Sequence, residues 1–296
     1  MAKNRTIFLD EYKNHNGQCE YGEDGILSYI FKCLNQKCLF SIEFGAGDGI
    51  RNSITYPFRK KGGISLLMDG AVMMDEYYDG RELDREIKTS AGVSEFDILN
   101  SKAGVKKEFI TRENINELFE KYNVPDNVDL LVIDIDGNDY HIWKEIKIKP
   151  TVVMIEFNQF IDPNVNAIVK YKSDFKTKIK DRYTSASCKS MFLLGKAKGY
   201  TLLEVIADNM IFIKNEYANK IVVSKEFQDD YISLLIKNFI KKENRVNLTK
   251  GFLHKKYKKI RNRKLSFLKK ILFKMGIIKT FIPSWQNHKK FGIWTE

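Results

Sequence analysis

The chain has 296 residues, 43% of them hydrophobic, enough to bury a full core as one α/β domain with added elements rather than as two equal domains. Its first residues are polar, and no stretch reaches the roughly 18 uninterrupted apolar residues of a spanning helix, so neither a secretory leader nor a membrane span is expected. The net charge of +12 is uneven: residues 1–250 carry 37 Lys/Arg and 37 Asp/Glu, whereas residues 251–296 carry 13 Lys/Arg and a single acid, Glu296, so a neutral body with a basic tail is expected.

Four cysteines (Cys19, Cys33, Cys38, Cys188) predict reduced thiols in a cytoplasm rather than a disulfide framework. Cys33 and Cys38 have no second Cys/His pair at zinc-site spacing. In chain order, apolar runs at 39–44, 63–70, 106–111, 128–137 and 151–158 predict five buried strands. Helical segments are expected at 52–61, 71–88, 114–122, 139–147 and 187–198. Residues 200–215 read as a hairpin turning at Asp208-Asn209. Alternating strands and helices imply a mostly parallel, doubly covered Rossmann-like sheet of seven strands closed by a C-terminal antiparallel hairpin. The expected division is a domain over 1–215, with a helical region at 1–38, and a basic helical extension over 216–296.

The turn after the first strand, "EFGAGDG", departs from a dinucleotide-binding G-x-G-x-x-G, because its third glycine comes one residue early. Its spacing, Glu43-x-Gly45-x-Gly47-x-Gly49 with Ala46 between the first two glycines, resembles that of class I methyltransferases, which bind S-adenosylmethionine. Missing side chains there let backbone approach a ligand. Asp69, at the end of the second strand and 22 residues beyond Gly47, is placed to accept hydrogen bonds from ribose hydroxyls. A tight turn with no ligand is the plain alternative.

More specifically, the chain resembles the FkbM-type methyltransferases, particularly the bacterial polysaccharide and glycan-associated subgroup. The matching stretches are "YGEDGIL" (21–27), "IEFGAGDGIRNS" (42–53), "FITRENIN" (109–116), "LLVIDIDGNDYHIW" (130–143), "VVMIEFN" (152–158), "YTSAS" (183–187) and "KGYTLLEVIADNMIFI" (198–213), in the family's order. The resemblance implies a methyl transfer from S-adenosylmethionine. It places Glu23 and Asp24 in a flap beside the cofactor; read from the residues alone, the same acids cap a helix N-terminus. Asn52, Asn138, Tyr140, Asn158 and Tyr183 are the candidate acceptor-binding residues.

Asp134 and Asp136, two apart, are expected on one face at the end of the fourth strand, with Glu156 and Asn158 repeating the arrangement on the fifth. Converging oxygen ligands suit a hard divalent cation such as Mg²⁺, which lowers the pKa of a bound hydroxyl. A metal-free base, Asp136 or His141, is an alternative, with Asp134 beside them; purely structural acids are another.

The tail is dense in Lys/Arg over 254–270 and carries an imperfect apolar stripe over 265–282 that ends at Pro283. It reads as an interfacial helix on an anionic membrane, a docking arm for partner or sister subunits, or a nucleic-acid arm. No nucleic-acid fold accompanies it, which makes nucleic acid the weakest of the three. The expected activity is O-methylation of a sugar hydroxyl on a bacterial surface polysaccharide, capsule or lipopolysaccharide, or on a nucleotide-sugar or lipid-linked precursor. An RNA methyltransferase and a catalytically inactive scaffold are the alternatives.

Overall fold

The computed structural model describes Tyr12, Cys19, residues 21–47, 49–50, 52–70, 104–161, 163–175, 184–221, 230–232 and 234, and the backbone of 291–293. The expected helix at 71–88, Tyr183 and the amphipathic stretch of the tail lie outside these residues.

Strands β1 (Phe40–Phe44), β2 (Ile64–Asp69), β3 (Lys106–Lys107), β4 (Leu130–Ile133) and β5 (Val152–Glu156) are joined by β7 (Tyr200–Ile206) and β8 (Asn209–Lys214) in one sheet ordered β3-β2-β1-β4-β5-β8-β7. The first five run parallel, and β8 lies antiparallel between β5 and β7. Strand order reverses between β1 and β4, so a crevice opens there at the strands' carboxyl ends.

Both faces of β4 and β5 are covered, which is why these runs are apolar throughout. Leu131, Ile133, Val153 and Ile155 pack with α4 (Asp139–Glu145) and α5 (Cys188–Ala197), around Trp143 and Met191. Leu130, Val132, Val152 and Met154 pack on the other face with Ile26, Ile30 and Phe31 of α1 (Glu23–Leu34).

Several elements are shorter than the apolar runs suggest, each because a side chain captures the backbone. In place of a helix over 52–61 only α2 (Tyr56–Arg59) forms, since Gly49 and Asn52 take positive φ (73° and 55°) and the loop is drawn onto Glu43. The third strand stops at Lys107, because Phe109 to Asn114 form a knot in which Asn114 Oδ1 accepts the Thr111 N–H at 2.7 Å. It leads into α3 (Ile115–Lys121). Strand β4 stops at Ile133, so Asp134 and Asp136 sit on the following loop rather than on the strand. Helix α1 begins at Glu23 itself, which puts Glu23 and Asp24 in its first turn. The hairpin turns at Ala207-Asp208, one residue earlier than expected, with Ala207 at φ 52°.

Away from the sheet, β6 (Ala167–Val169) pairs antiparallel with β9 (Phe291–Ile293), a strand within the tail that the sequence reading takes as helical. The last element is α6 (Asn215–Ala218). Among the described residues, no helix is long and apolar enough to cross a membrane.

Candidate active site

The turn after β1 is built by contacts that only glycine permits. At Gly45, φ 71°, a Cβ would stand 1.7 Å from the Asp134 carbonyl oxygen, so the end of β1 lies directly against the end of β4. The Gly45 and Ala46 amides both donate to the Met68 carbonyl, at 3.0 and 3.3 Å, locking the turn onto β2. Gly47 differs: its φ is 54°, and a Cβ there would meet nothing within 4 Å among the described residues. Its N–H donates to Asp69 Oδ2 at 2.8 Å, which ties the turn to the acid that ends β2.

Glu43 is buried and accepts from Ser53 Oγ (2.7 Å), Ile54 N (2.8 Å) and Thr55 N (3.3 Å), which folds the 53–55 loop beneath the glycine turn. Arg59 donates to the Gly49 carbonyl and to Ser53 Oγ, closing that loop. The first turn of α1 approaches the same region. Cys19 Sγ donates to the Ser53 carbonyl at 3.7 Å, and burial, then Asp24 and Glu23, push its thiol upward. Glu23 (1% exposed) accepts the Tyr21 N–H at 3.0 Å, and Asp24 is 4% exposed. All three acids are thus buried, Glu43 against the 53–55 loop and Glu23 and Asp24 in the first turn of α1. Asn52 is exposed at the rim.

On the β4 side, Asp139 is fully buried and reaches back from α4 to accept the amides of Ile135 and Gly137, both at 2.8 Å. This capture bends the 134–138 loop, and Asp136 takes φ 57° within it. Asp139→Ala would strand the buried Gly137 amide and the half-buried Ile135 amide and is expected to destabilise the fold by about 2–3 kcal/mol in urea titration.

The bend brings together Asp134, Asp136 and Glu156, whose carboxylate oxygens lie within 4.8 Å of one another. Glu156 Oε2 is buried with no hydrogen-bond partner among the described residues. The enclosing protein, and then Asp134, Asp139, Asp136 and Asp208, hold Glu156 well above the usual carboxylate range. Asp134 is likewise raised by its surroundings and then by Asp139, Asp136 and Asp208, although water reaches its side chain. Burial alone raises Asp136.

Asp208 is the residue that sequence reasoning takes only as a turn. Its carbonyl accepts the Phe157 N–H at 2.7 Å and its Oδ2 accepts from Gln159 Nε2 at 3.1 Å, which holds the hairpin tip against the end of β5. The usable signal is topological: a hairpin whose last strand pairs with β5 must carry its turn to β5's carboxyl end.

Two other candidates take different places. Asn158 Oδ1 accepts the Phe160 N–H (2.9 Å) and Nδ2 donates to the Thr184 carbonyl (2.5 Å), so its amide ties loops together and the candidate cation set is the three carboxylates. His141 Nε2 donates to the Val169 carbonyl at 2.7 Å, and its ring stands edge-on to Tyr140 and Tyr171. Burial pulls its pKa down, and the ring bridges α4 to β6 as a tether instead of joining the carboxylates as the base.

A short segment covers the acid loop. Asn138 Nδ2 donates to the Lys172 carbonyl at 2.8 Å, and a Cβ on Gly137 would stand 2.2 Å from the Phe175 ring. Asn138 Oδ1 is buried without a partner among the described residues. Tyr140 is half-buried against the core.

No protein-family model matches the chain, and no curated protein matches it. Among solved structures it is similar to a SAM dependent methyltransferase from Aquifex aeolicus, at 14% identity and TM-score 0.31, covering 62% of this chain and 88% of that one. It is also similar to an S-adenosylmethionine-dependent methyltransferase from Clostridium acetobutylicum ATCC 824, at 11% identity and TM-score 0.35, covering 64% and 90%. The sheet itself, seven-stranded and parallel but for β8 of the terminal hairpin, is the mostly parallel Rossmann-like α/β sheet that the sequence leads one to expect.

Proposed function

We propose that the chain is an S-adenosylmethionine-dependent O-methyltransferase acting on a sugar hydroxyl of a bacterial surface polysaccharide, or of its nucleotide-sugar or lipid-linked precursor, with a divalent cation at Asp134, Asp136 and Glu156. The observation that carries the reading is the contact of Gly45 with the Asp134 backbone, which sets the glycine turn and the carboxylates side by side at one switch point. The sugar acceptor rests on the FkbM resemblance.

Both groups suit the residues present. The space before Gly47, open as far as the described residues go and with Asp69 at its edge, matches what a nucleoside needs in order to approach backbone. An all-oxygen set that includes an unpartnered buried carboxylate oxygen matches a hard cation. When bound, the donor supplies an electrophilic methyl on sulfur, and the cation lowers the pKa of an oxygen that it contacts. The chain's own residues do the rest. Asp69 would hold the ribose and the glycine turn the donor, Asp134, Asp136 and Glu156 would hold the cation, and Asp136, raised in pKa by burial, is the carboxylate that would take the acceptor hydroxyl's proton.

The test is calorimetric binding of S-adenosylhomocysteine together with transfer of labelled methyl to sugar precursors, with and without EDTA. Asp69→Ala is expected to weaken S-adenosylhomocysteine at least tenfold, about 1.4 kcal/mol. Unchanged affinity in that variant would remove the donor site from this turn, and label transfer undiminished by EDTA would remove the cation.

A further inference from the structure

Strand β6 has two edges, and the chain uses both. The Ala167 carbonyl accepts from Ser187 N (2.8 Å) and Ser190 Oγ (2.9 Å), the Ala167 amide donates to Ser187 Oγ (3.2 Å), and the Val169 carbonyl accepts from His141. Residues two apart in a strand present their backbone groups to the same side. Ala167 and Val169 therefore face α5 and α4, and Ile168 turns its N–H and carbonyl to the other edge, where Gly292 of β9 stands opposite it. Ile168–Gly292 is thus the hydrogen-bonded pair.

What hangs from β6 is the cover of the acid loop. Directly after Val169 come Tyr171, edge-on to His141, Lys172, whose carbonyl holds Asn138, and Phe175, packed on Gly137. A three-residue strand outside the main sheet is marginal by itself. We propose that β9 is a built-in brace of the candidate site: by pairing through Gly292 it fixes β6, and β6 then holds His141, the 171–175 cover and, through α4, the loop bearing Asp134 and Asp136. His141 is a positioning residue in this arrangement.

The test compares the full chain with Gly292→Pro, which removes the N–H offered to Ile168, and with Gly292→Ala, which keeps it. A chain ending at Lys290, with and without an added peptide of residues 286–296, gives a second route. Amide hydrogen exchange at 167–172 should accelerate at least tenfold in Gly292→Pro and in the truncated chain. It should stay near the full-chain rate in Gly292→Ala and slow again when peptide is added. The His141 imidazole NMR signals should shift with the same pattern, while exchange at β4 and β5 stays slow. His141→Phe should loosen 169–172 as well, with His141→Gln, which retains a donor, closer to the native chain.

Unchanged exchange at 167–172 in Gly292→Pro overturns the brace. Accelerated exchange with unmoved His141 signals overturns its reach to the site. One further arm rests on the proposed cation site: Mn²⁺ affinity by electron paramagnetic resonance should fall about tenfold in Gly292→Pro. If the full chain binds no Mn²⁺, the cation reading fails, and the exchange and histidine measurements still decide the brace.

Discussion

Gly45→Ala is expected to lose about 4 kcal/mol or more of stability, among the largest effects of any single substitution in this chain. The added methyl would lie 1.7 Å from the Asp134 carbonyl oxygen and 2.9 Å from its carbon, and both are backbone atoms of the neighbouring strand end, so no side chain can swing aside. Positive φ at alanine adds roughly 1–2 kcal/mol. Gly47→Ala is the informative partner. It carries the same kind of backbone penalty, about 1 kcal/mol, but its methyl enters open space. It should remain folded and, if the proposed donor site lies at this turn, lose S-adenosylhomocysteine affinity by tenfold or more. Urea titration separates the two variants by stability, and calorimetry reads the ligand. Native-like stability in Gly45→Ala would contradict the strand-end contact; native-like ligand affinity in Gly47→Ala would contradict the turn's assignment.

The strands were legible in sequence because burial on both faces forces unbroken apolar runs, and β4 and β5 are such runs. Glycine spacing and Asp69 were legible for a related reason: a backbone contact that excludes Cβ leaves glycine as the residue that fits, and the Gly47–Asp69 hydrogen bond follows from adjacent parallel strands. Element ends were not legible. Asp139 captures the amides of Ile135 and Gly137, and Glu43 captures those of Ile54 and Thr55, through side chains that periodicity does not register. His141 shows the same limit at the site. A histidine beside two acids in sequence suggests a base, yet helix α4 turns its ring toward Val169. Asp208 was hidden by sequence distance, since it lies 52 residues beyond Glu156 and reaches β5 only because β8 pairs with that strand. The pairing of β9 with β6 joins segments more than 120 residues apart, with no local pattern to announce it.

Glu156→Gln should make the cation-free protein more stable at neutral pH by about 1–2 kcal/mol, an unusual sign for a buried substitution. The reason is the crowding of like charge. Enclosure by protein, then Asp134 and its acidic neighbours, raise the folded-state pKa of Glu156 above that of the unfolded chain, and Asp134 is raised in the same way. Below the unfolded value, about 4 for these groups, both states are protonated and these carboxylates impose no penalty. As pH climbs from there through the raised folded values, the folded state keeps protons that the unfolded state has released, so stability falls with rising pH over that window. Glutamine stays neutral throughout, so the variant should show a flatter pH profile, by thermal or urea denaturation, across the window. In the parent chain the divalent cation proposed at these carboxylates would supply the compensating charge. At a hundred times its dissociation constant it should add about 2.7 kcal/mol, restoring at neutral pH what the carboxylates remove. Glu156→Gln, lacking one charged ligand of three, should lose most of that gain. If the variant proves less stable than the parent without cation, or gains equally from Mg²⁺ or Mn²⁺, then these acids are held by internal hydrogen bonds and not by the charge that the cleft is shaped to receive.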